Sequence, residues 1–233
     1  MLTPMADPAA PSQLAAGAGA KGEVSVRELT PAERTVARRT AESRATIPDI
    51  ELTLEAEVGR PEDDGTTLEG VLVAACAAAL RAVPRANGAY RDGRFEAYAR
   101  VNVGVVVADG ETYLIPTVFD ADEKSPAELS RGVEELAAAA RARTLTQPAF
   151  AGATFTLWNA GALGLERAAM VINPPQAAAL AAGAVRELPT VRDGALSTRR
   201  LITLTLTCDH RILYGAAAAQ FLHVVAAALA PGP

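Results

Sequence analysis

The chain has 233 residues, half of them hydrophobic, enough to bury a sizeable core in one large domain or two small ones. Its 27 acidic against 22 basic residues leave a formal net charge of −5, which argues against nucleic acid or an anionic membrane as a partner. No apolar run reaches the length of a membrane span, and the N-terminus lacks a signal-peptide pattern. No Cys/His cluster has metal-ligand spacing, so no metal is expected, and Cys76 and Cys208, both in apolar runs, read as buried free thiols of a cytoplasmic protein.

Residues 1–27 are rich in Ala, Gly and Pro with few large apolar side chains, and they are expected to form a disordered tail ahead of one folded domain, 28–233. Thr30-Pro31-Ala32-Glu33 is a capping box with proline at the first helical position, so a helix should run to Arg44. Residues 50–58 alternate Ile50, Leu52, Leu54, Ala56 and Val58 with polar neighbours, the pattern of a half-buried strand. A second capping box, Thr66 to Glu69, opens an Ala-rich helix to Val83 that is apolar around its circumference and hence buried. Val101–Val107 and Tyr113–Val118 read as core strands. Ser125-Pro126-Ala127-Glu128 is a third capping box, for a helix to Arg143.

Thr154–Trp158 reads as a strand ended by Gly161 and Gly164, followed by strands over Ala168–Ile172 and Ala178–Glu187 and a hairpin turn at Asp193-Gly194. Leu201–Cys208 is a strand with Ile202, Leu204, Leu206 and Cys208 on one face and Thr203, Thr205 and Thr207 on the other. A final helix spans Gly215–Leu229. Strands mixed with flanking helices make this one α/β domain.

The most informative segment closes that last strand: Cys208-Asp209-His210-Arg211-Ile212-Leu213-Tyr214-Gly215. It carries one of the two histidines, at a strand end before a glycine, where a side chain projects into a cleft. Histidine suits general-base work because its pKa lies near working pH. The second histidine, His223, falls inside the final helix and reads as a surface or packing residue.

This segment resembles the Asp-His-Arg-x-x-Asp-Gly signature of the acyltransferase (E2) catalytic domains of 2-oxoacid dehydrogenase complexes, whose fold chloramphenicol acetyltransferases share. Further segments match in order: Arg34–Pro48 resembles the family's first helix, Val101-Asn102-Val103-Gly104-Val105 and Ile115-Pro116 its central strands, and Asp120–Ser125 the turn into its next helix. Gly152–Gly164 resembles its Gly-Thr-Phe-Thr-Ile-Ser-Asn-Leu-Gly segment, and Ile172-Asn173-Pro174-Pro175-Gln176 its Asn-Pro-Pro-Gln turn. The resemblance implies a chloramphenicol acetyltransferase-like mixed sheet flanked by helices. It also implies a homotrimer, in which the histidine of one subunit faces the serine segment of its neighbour. It casts His210 as the base that deprotonates an acceptor thiol or hydroxyl, which attacks an acyl thioester.

Three positions depart from the family. Trp158 stands where a serine hydroxyl donates to the oxyanion; its indole N–H, Thr156 two residues earlier on the same strand face, or Asn159 are the candidate substitutes. Tyr214 stands where an aspartate pairs with an arginine of the first helix, and Asp49 where a histidine commonly follows Ile-Pro. The tail is too short for a folded lipoyl carrier domain. These departures lead to the expectation of an O-acyltransferase that takes acetyl-CoA as co-substrate, carries no lipoyl group, and acetylates a hydroxyl of a small metabolite. In this it resembles the tetronate O-acetyltransferases of spirotetronate polyketide biosynthesis. Two other readings are an E2 component that uses dihydrolipoamide and a catalytically inactive E2-like scaffold.

Overall fold

The computed structural model describes residues 14–19, 22–59, 65–110, 112–192 and 194–231. Contacts divide the chain into two units, one ending at Arg38 and one beginning at Arg39. In the first unit β1 (Leu14–Gly19) and β2 (Gly22–Val26) pair antiparallel. Both strands fall within the stretch expected as a disordered tail to residue 27; residues 1–13, 20 and 21 of that stretch lie outside the described residues. The division between the units falls within the residues of α1 (Pro31–Thr46), whose capping box forms as expected. Glu33 N–H donates to Thr30 Oγ1 at 3.2 Å, and the Thr30 N–H returns to Glu33 Oε2 at 2.7 Å.

The second unit contains a seven-stranded mixed sheet. In chain order its elements are β3 (Asp49–Glu57), α2 (Leu68–Ala82), β4 (Gly88–Arg91), β5 (Arg94–Ala97), β6 (Val103–Val105), β7 (Val107–Asp109), β8 (Thr112–Leu114), β9 (Thr117–Val118), α3 (Pro126–Arg141), β10 (Phe155–Asn159), β11 (Ala178–Ala182), β12 (Arg186–Arg192), β13 (Ala195–Asp209) and α4 (Gly215–Leu229). The sheet order is β12-β13-β11-β10-β6-β9, with β3 also paired to β13. Strand β10 runs parallel to β6 and β11, and the other pairings are antiparallel. One sheet face presents Ile202, Leu204, Leu206, Cys208, Leu180, Leu157 and Phe155 to the core shared with α2 and α4, where the Phe155 and Phe221 rings lie 5.4 Å apart. Alternation puts Thr156, Trp158, Thr203, Thr205 and Thr207 on the opposite face.

Several expected elements are cut shorter for identifiable reasons. Tyr113–Val118 breaks at Ile115-Pro116, where proline has no N–H for the ladder. Val101–Val107 is divided at Val106 between β6 and β7, although the Val106 N–H still donates to the Leu157 carbonyl of β10 at 2.9 Å. Ala178–Glu187 breaks at Gly183, where the chain passes so close to Glu166 that a Cβ would lie 2.0 Å from its carbonyl oxygen. Ala168–Ile172 is irregular rather than a strand, running into Asn173-Pro174-Pro175, where two successive residues lack an amide donor. The cap of α2 is Thr67 rather than Thr66, accepting from Gly70 N–H at 3.2 Å. Asp193 lies outside the described residues, although Arg192 and Ala195 pair on either side of it.

Candidate active site

Strand β13 delivers the histidine. Its last nine residues pair with β3, ending at Asp209 opposite Asp49, and the next amide, His210 N–H, donates to the Pro48 carbonyl at 3.0 Å. The chain then turns through residues 210–214 into α4, leaving the His210 side chain exposed. Asp209, 1% exposed, clamps this turn. Its carboxylate accepts the Arg211 backbone N–H at 3.0 Å, Arg211 Nε at 2.9 Å and Arg211 Nη2 at 2.6 Å. This pairing lifts the Arg211 guanidinium above its ordinary pKa, chiefly through the hydrogen bond to Asp209. The guanidinium also stacks 4.0 Å from the Tyr90 ring centroid.

Tyr214 is half exposed and cannot be an ion-pair partner. Its hydroxyl donates to the Arg211 carbonyl at 3.1 Å, and its ring meets His210 edge-on, centroids 5.8 Å apart at 90°. Asp49, the third departure from the family pattern, pairs with Arg44 at 2.9 Å and ties the end of α1 to the start of β3.

The oxyanion candidates fare differently. Thr156 is fully buried and donates to Gln176 Oε1 at 2.6 Å, while Gln176 Nε2 donates to the Ala153 carbonyl at 3.2 Å. The turn carrying Gln176 contains a cis Pro174–Pro175 bond and is held by Arg39, which donates to Asn173 Oδ1 and the Pro174 carbonyl. Asn159 falls on the other strand face and donates through Nδ2 to Glu69 Oε1 at 2.5 Å. Both alternative donors are thus engaged within the chain. Trp158 is half-buried on the Thr156 face, and among the described residues its indole N–H has no hydrogen-bond partner. A cavity of about 300 Å³ lined by Glu69, Asn159, Gly161, Gly183 and Arg200 includes neither His210 nor Trp158.

His223 is exposed on α4, as expected. Cys76 and Cys208 are buried free thiols; burial raises both above the ordinary thiol pKa, Cys208 to about 12 with the nearby Asp209 and Asp49 charges adding to the effect. Among the described residues no group of His, Cys, Asp or Glu is placed to hold a metal ion, and no helix is long and apolar enough to cross a membrane. The sequence reading gave no role to Arg85, Tyr90 or Phe95. The signal was present: Tyr90-Arg91-Asp92-Gly93-Arg94-Phe95 places Asp-Gly between two short strands, and both turn residues have positive φ, 47° and 76°.

Residues 21–231 match the family described as 2-oxoacid dehydrogenases acyltransferase (catalytic domain). The chain is 30% identical over 203 residues to the dihydrolipoyllysine-residue acetyltransferase component of the pyruvate dehydrogenase complex of Rickettsia conorii, covering 81% of this chain and 49% of that protein. The chain therefore spans about half the length of the curated relatives it matches. Among solved structures, the cubic core of the pyruvate dehydrogenase multienzyme complex superimposes with a TM-score of 0.84 at 27% identity, covering 91% of this chain and 93% of the other. The Azotobacter vinelandii dihydrolipoamide acetyltransferase, in which a serine, a histidine and an asparagine were investigated for roles in catalysis, gives 0.83 at 26%, covering 90% and 93%. A chloramphenicol acetyltransferase, at 0.53 and 16% identity with 82% and 94% covered, shares the fold alone.

These matches overturn the expected acceptor. The curated relatives are named for acetyl transfer involving dihydrolipoyl groups, and acetylation of a tetronate hydroxyl finds no counterpart among them, so that reading is set aside. With its mixed sheet, its flanking helices and a match running almost end to end, the chain belongs to the family of 2-oxoacid dehydrogenase acyltransferase catalytic domains.

Proposed function

We propose that the protein transfers an acyl group, in the first instance acetyl, between coenzyme A and a dihydrolipoyl thiol, as the E2 component of a 2-oxoacid dehydrogenase complex. The observation that carries this reading is the placement of His210 on a turn clamped by the buried Asp209–Arg211 pair, in a chain of this family. His210 accepts the proton of the attacking thiol; the thiolate adds to the thioester carbonyl; the tetrahedral oxyanion collapses; and the departing thiolate takes the proton back from the imidazolium. The indole N–H of Trp158 is the oxyanion donor, because Thr156 and Asn159 already donate to Gln176 and Glu69. The spacing in the Azotobacter enzyme supports both assignments. Its serine precedes its histidine by the interval that separates Trp158 from His210. The dihydrolipoyl group comes from a carrier segment outside residues 28–233, the acyltransferase domain. The working unit is a cytoplasmic homotrimer in which His210 faces β10 of a neighbour.

The test is acetyl transfer from acetyl-CoA to dihydrolipoamide. Replacement of His210 by Ala is expected to lower the rate by about 10²–10⁴-fold. Transfer by the wild type that survives this substitution removes the base from the mechanism. Absence of transfer by the wild type favours the inactive scaffold, a reading that the loss of the family serine at Trp158 supports.

A further inference from the structure

The loop bearing His210 is flanked on two sides by arginine–aromatic pairs, and one hairpin supplies a ring to each. Strands β4 and β5 place Tyr90 directly opposite Phe95, so both rings lie on the same face of the hairpin. Tyr90 takes the Arg211 guanidinium at 4.0 Å. Phe95 faces Arg85, whose guanidinium carbon lies 5.6 Å from the Phe95 centroid and 5.8 Å from that of Tyr214. Arg85 Nη1 also donates to the Ile212 carbonyl at 3.1 Å. Arg85 is itself well placed for this. It sits in the short turn Pro84–Ala86 after α2, between the buried Val83 and Ala86, and Asn87 pins that turn by donating to the Tyr98 and Arg100 carbonyls, both at 3.0 Å.

We propose that Arg85 is a positioning residue for His210, acting through Tyr214. A half-exposed tyrosine has several rotamers open to it. The Arg85 cation on its face and the Arg211 carbonyl on its hydroxyl select the one whose edge abuts the imidazole. The hydrogen bond to Ile212 fixes the backbone between histidine and tyrosine, so ring and loop move together. Arg85 touches no reacting atom; it sets where the imidazole points. This role rests on the assignment of His210 as the base.

The experiment is a double-substitution cycle over Arg85→Ala and Tyr214→Leu, with Arg85→Lys as the conservative variant. Two readouts are used. The first is acetyl transfer to dihydrolipoamide. Arg85→Ala is expected to lower kcat about 5- to 20-fold with KM for acetyl-CoA little changed, Arg85→Lys to recover most of the loss, and the two substitutions together to cost no more than Tyr214→Leu alone. The second needs no turnover: the rate of His210 carbethoxylation by diethyl pyrocarbonate, followed across pH in a His223→Gln background, since the chain has only these two histidines. Arg85→Ala and Tyr214→Leu are each expected to change that rate severalfold and by the same factor, with no further change in the double variant. Additive effects in both readouts, or an Arg85→Ala protein whose imidazole reacts at the wild-type rate, overturn the proposal. A wild type that transfers no acetyl group while the carbethoxylation cycle is non-additive overturns the acyltransfer reading and leaves the Arg85 assignment standing.

Discussion

Trp158 concentrates the chemical question at the scale of one side chain. An indole N–H is a donor only, whereas the serine hydroxyl of the family both donates and accepts. If the indole holds the oxyanion, Trp158→Phe, which keeps most of the volume and removes the N–H, is expected to lower kcat roughly 100-fold with little effect on acetyl-CoA binding. A Phe variant as active as the wild type assigns Trp158 to filling space. His210 and its strand-end setting were legible from the sequence because a strand, a histidine and a helix-opening glycine are local features. The engagement of Thr156 and Asn159 was not. Their partners, Gln176 and Glu69, lie far along the chain, and no local period reports a hydrogen bond between a strand and a distant turn. Asp209 and Arg211 stand in the same motif as His210, but only the fold reveals that Asp209 is buried and shared between a backbone amide and a guanidinium.

Among the elements, α2 and α3 meet through the smallest residue available. A Cβ on Gly70 would lie 2.0 Å from Ser130 Oγ and 2.7 Å from Ser130 Cα, while that hydroxyl accepts the Thr67 N–H and donates to the Pro126 carbonyl. Gly70→Ala is therefore expected to destabilise by about 1–3 kcal/mol despite the better helix propensity of alanine, visible as a lower urea midpoint with an unchanged slope. Strand β13 and α2 between them bury both thiols. Because burial raises their pKa values, the folded state holds its thiol protons more tightly than the unfolded chain. Stability should be insensitive to these groups below the ordinary thiol value of 9.0 and should fall as pH rises from there toward about 12. Urea midpoints from pH 8 to 11, compared between the wild type and a Cys208→Ala protein, measure this contribution. Helices were read closely in advance because capping boxes and apolar periods are carried within each helix. Some strands were read as longer than they are, where proline or a close backbone approach intervenes, whereas the strand expected over Leu201–Cys208 is longer than read and begins at Ala195.

At the level of the whole molecule, two polar groups have no hydrogen-bond partner among the described residues: the exposed imidazole of His210, which meets the Tyr214 ring edge, and the half-buried Trp158 N–H. The proposed homotrimer brings the two together across a subunit boundary. Sedimentation equilibrium or mass photometry at micromolar protein should therefore give three times the chain mass or a multiple of it, and a species of one chain mass that retains transfer activity would remove the shared site. The α/β class and the order of segments were legible across almost the entire chain. The acceptor was not, because the identity of an acyl acceptor is written in a pocket assembled from remote residues, and two changed side chains are compatible with more than one pocket.

Beyond the Asp209 carboxylate, the turn that carries His210 is held by three main-chain oxygens. The Pro48 carbonyl takes the histidine amide, the Ile212 carbonyl takes Arg85, and the Arg211 carbonyl takes the Tyr214 hydroxyl. A peptide oxygen is the same at every residue. Genetic drift at Pro48 or Ile212 thus leaves these acceptors in place so long as the backbone path survives. A lineage of such enzymes is free to replace the side chains around its base, as at Tyr214, without first rebuilding the frame that aims it.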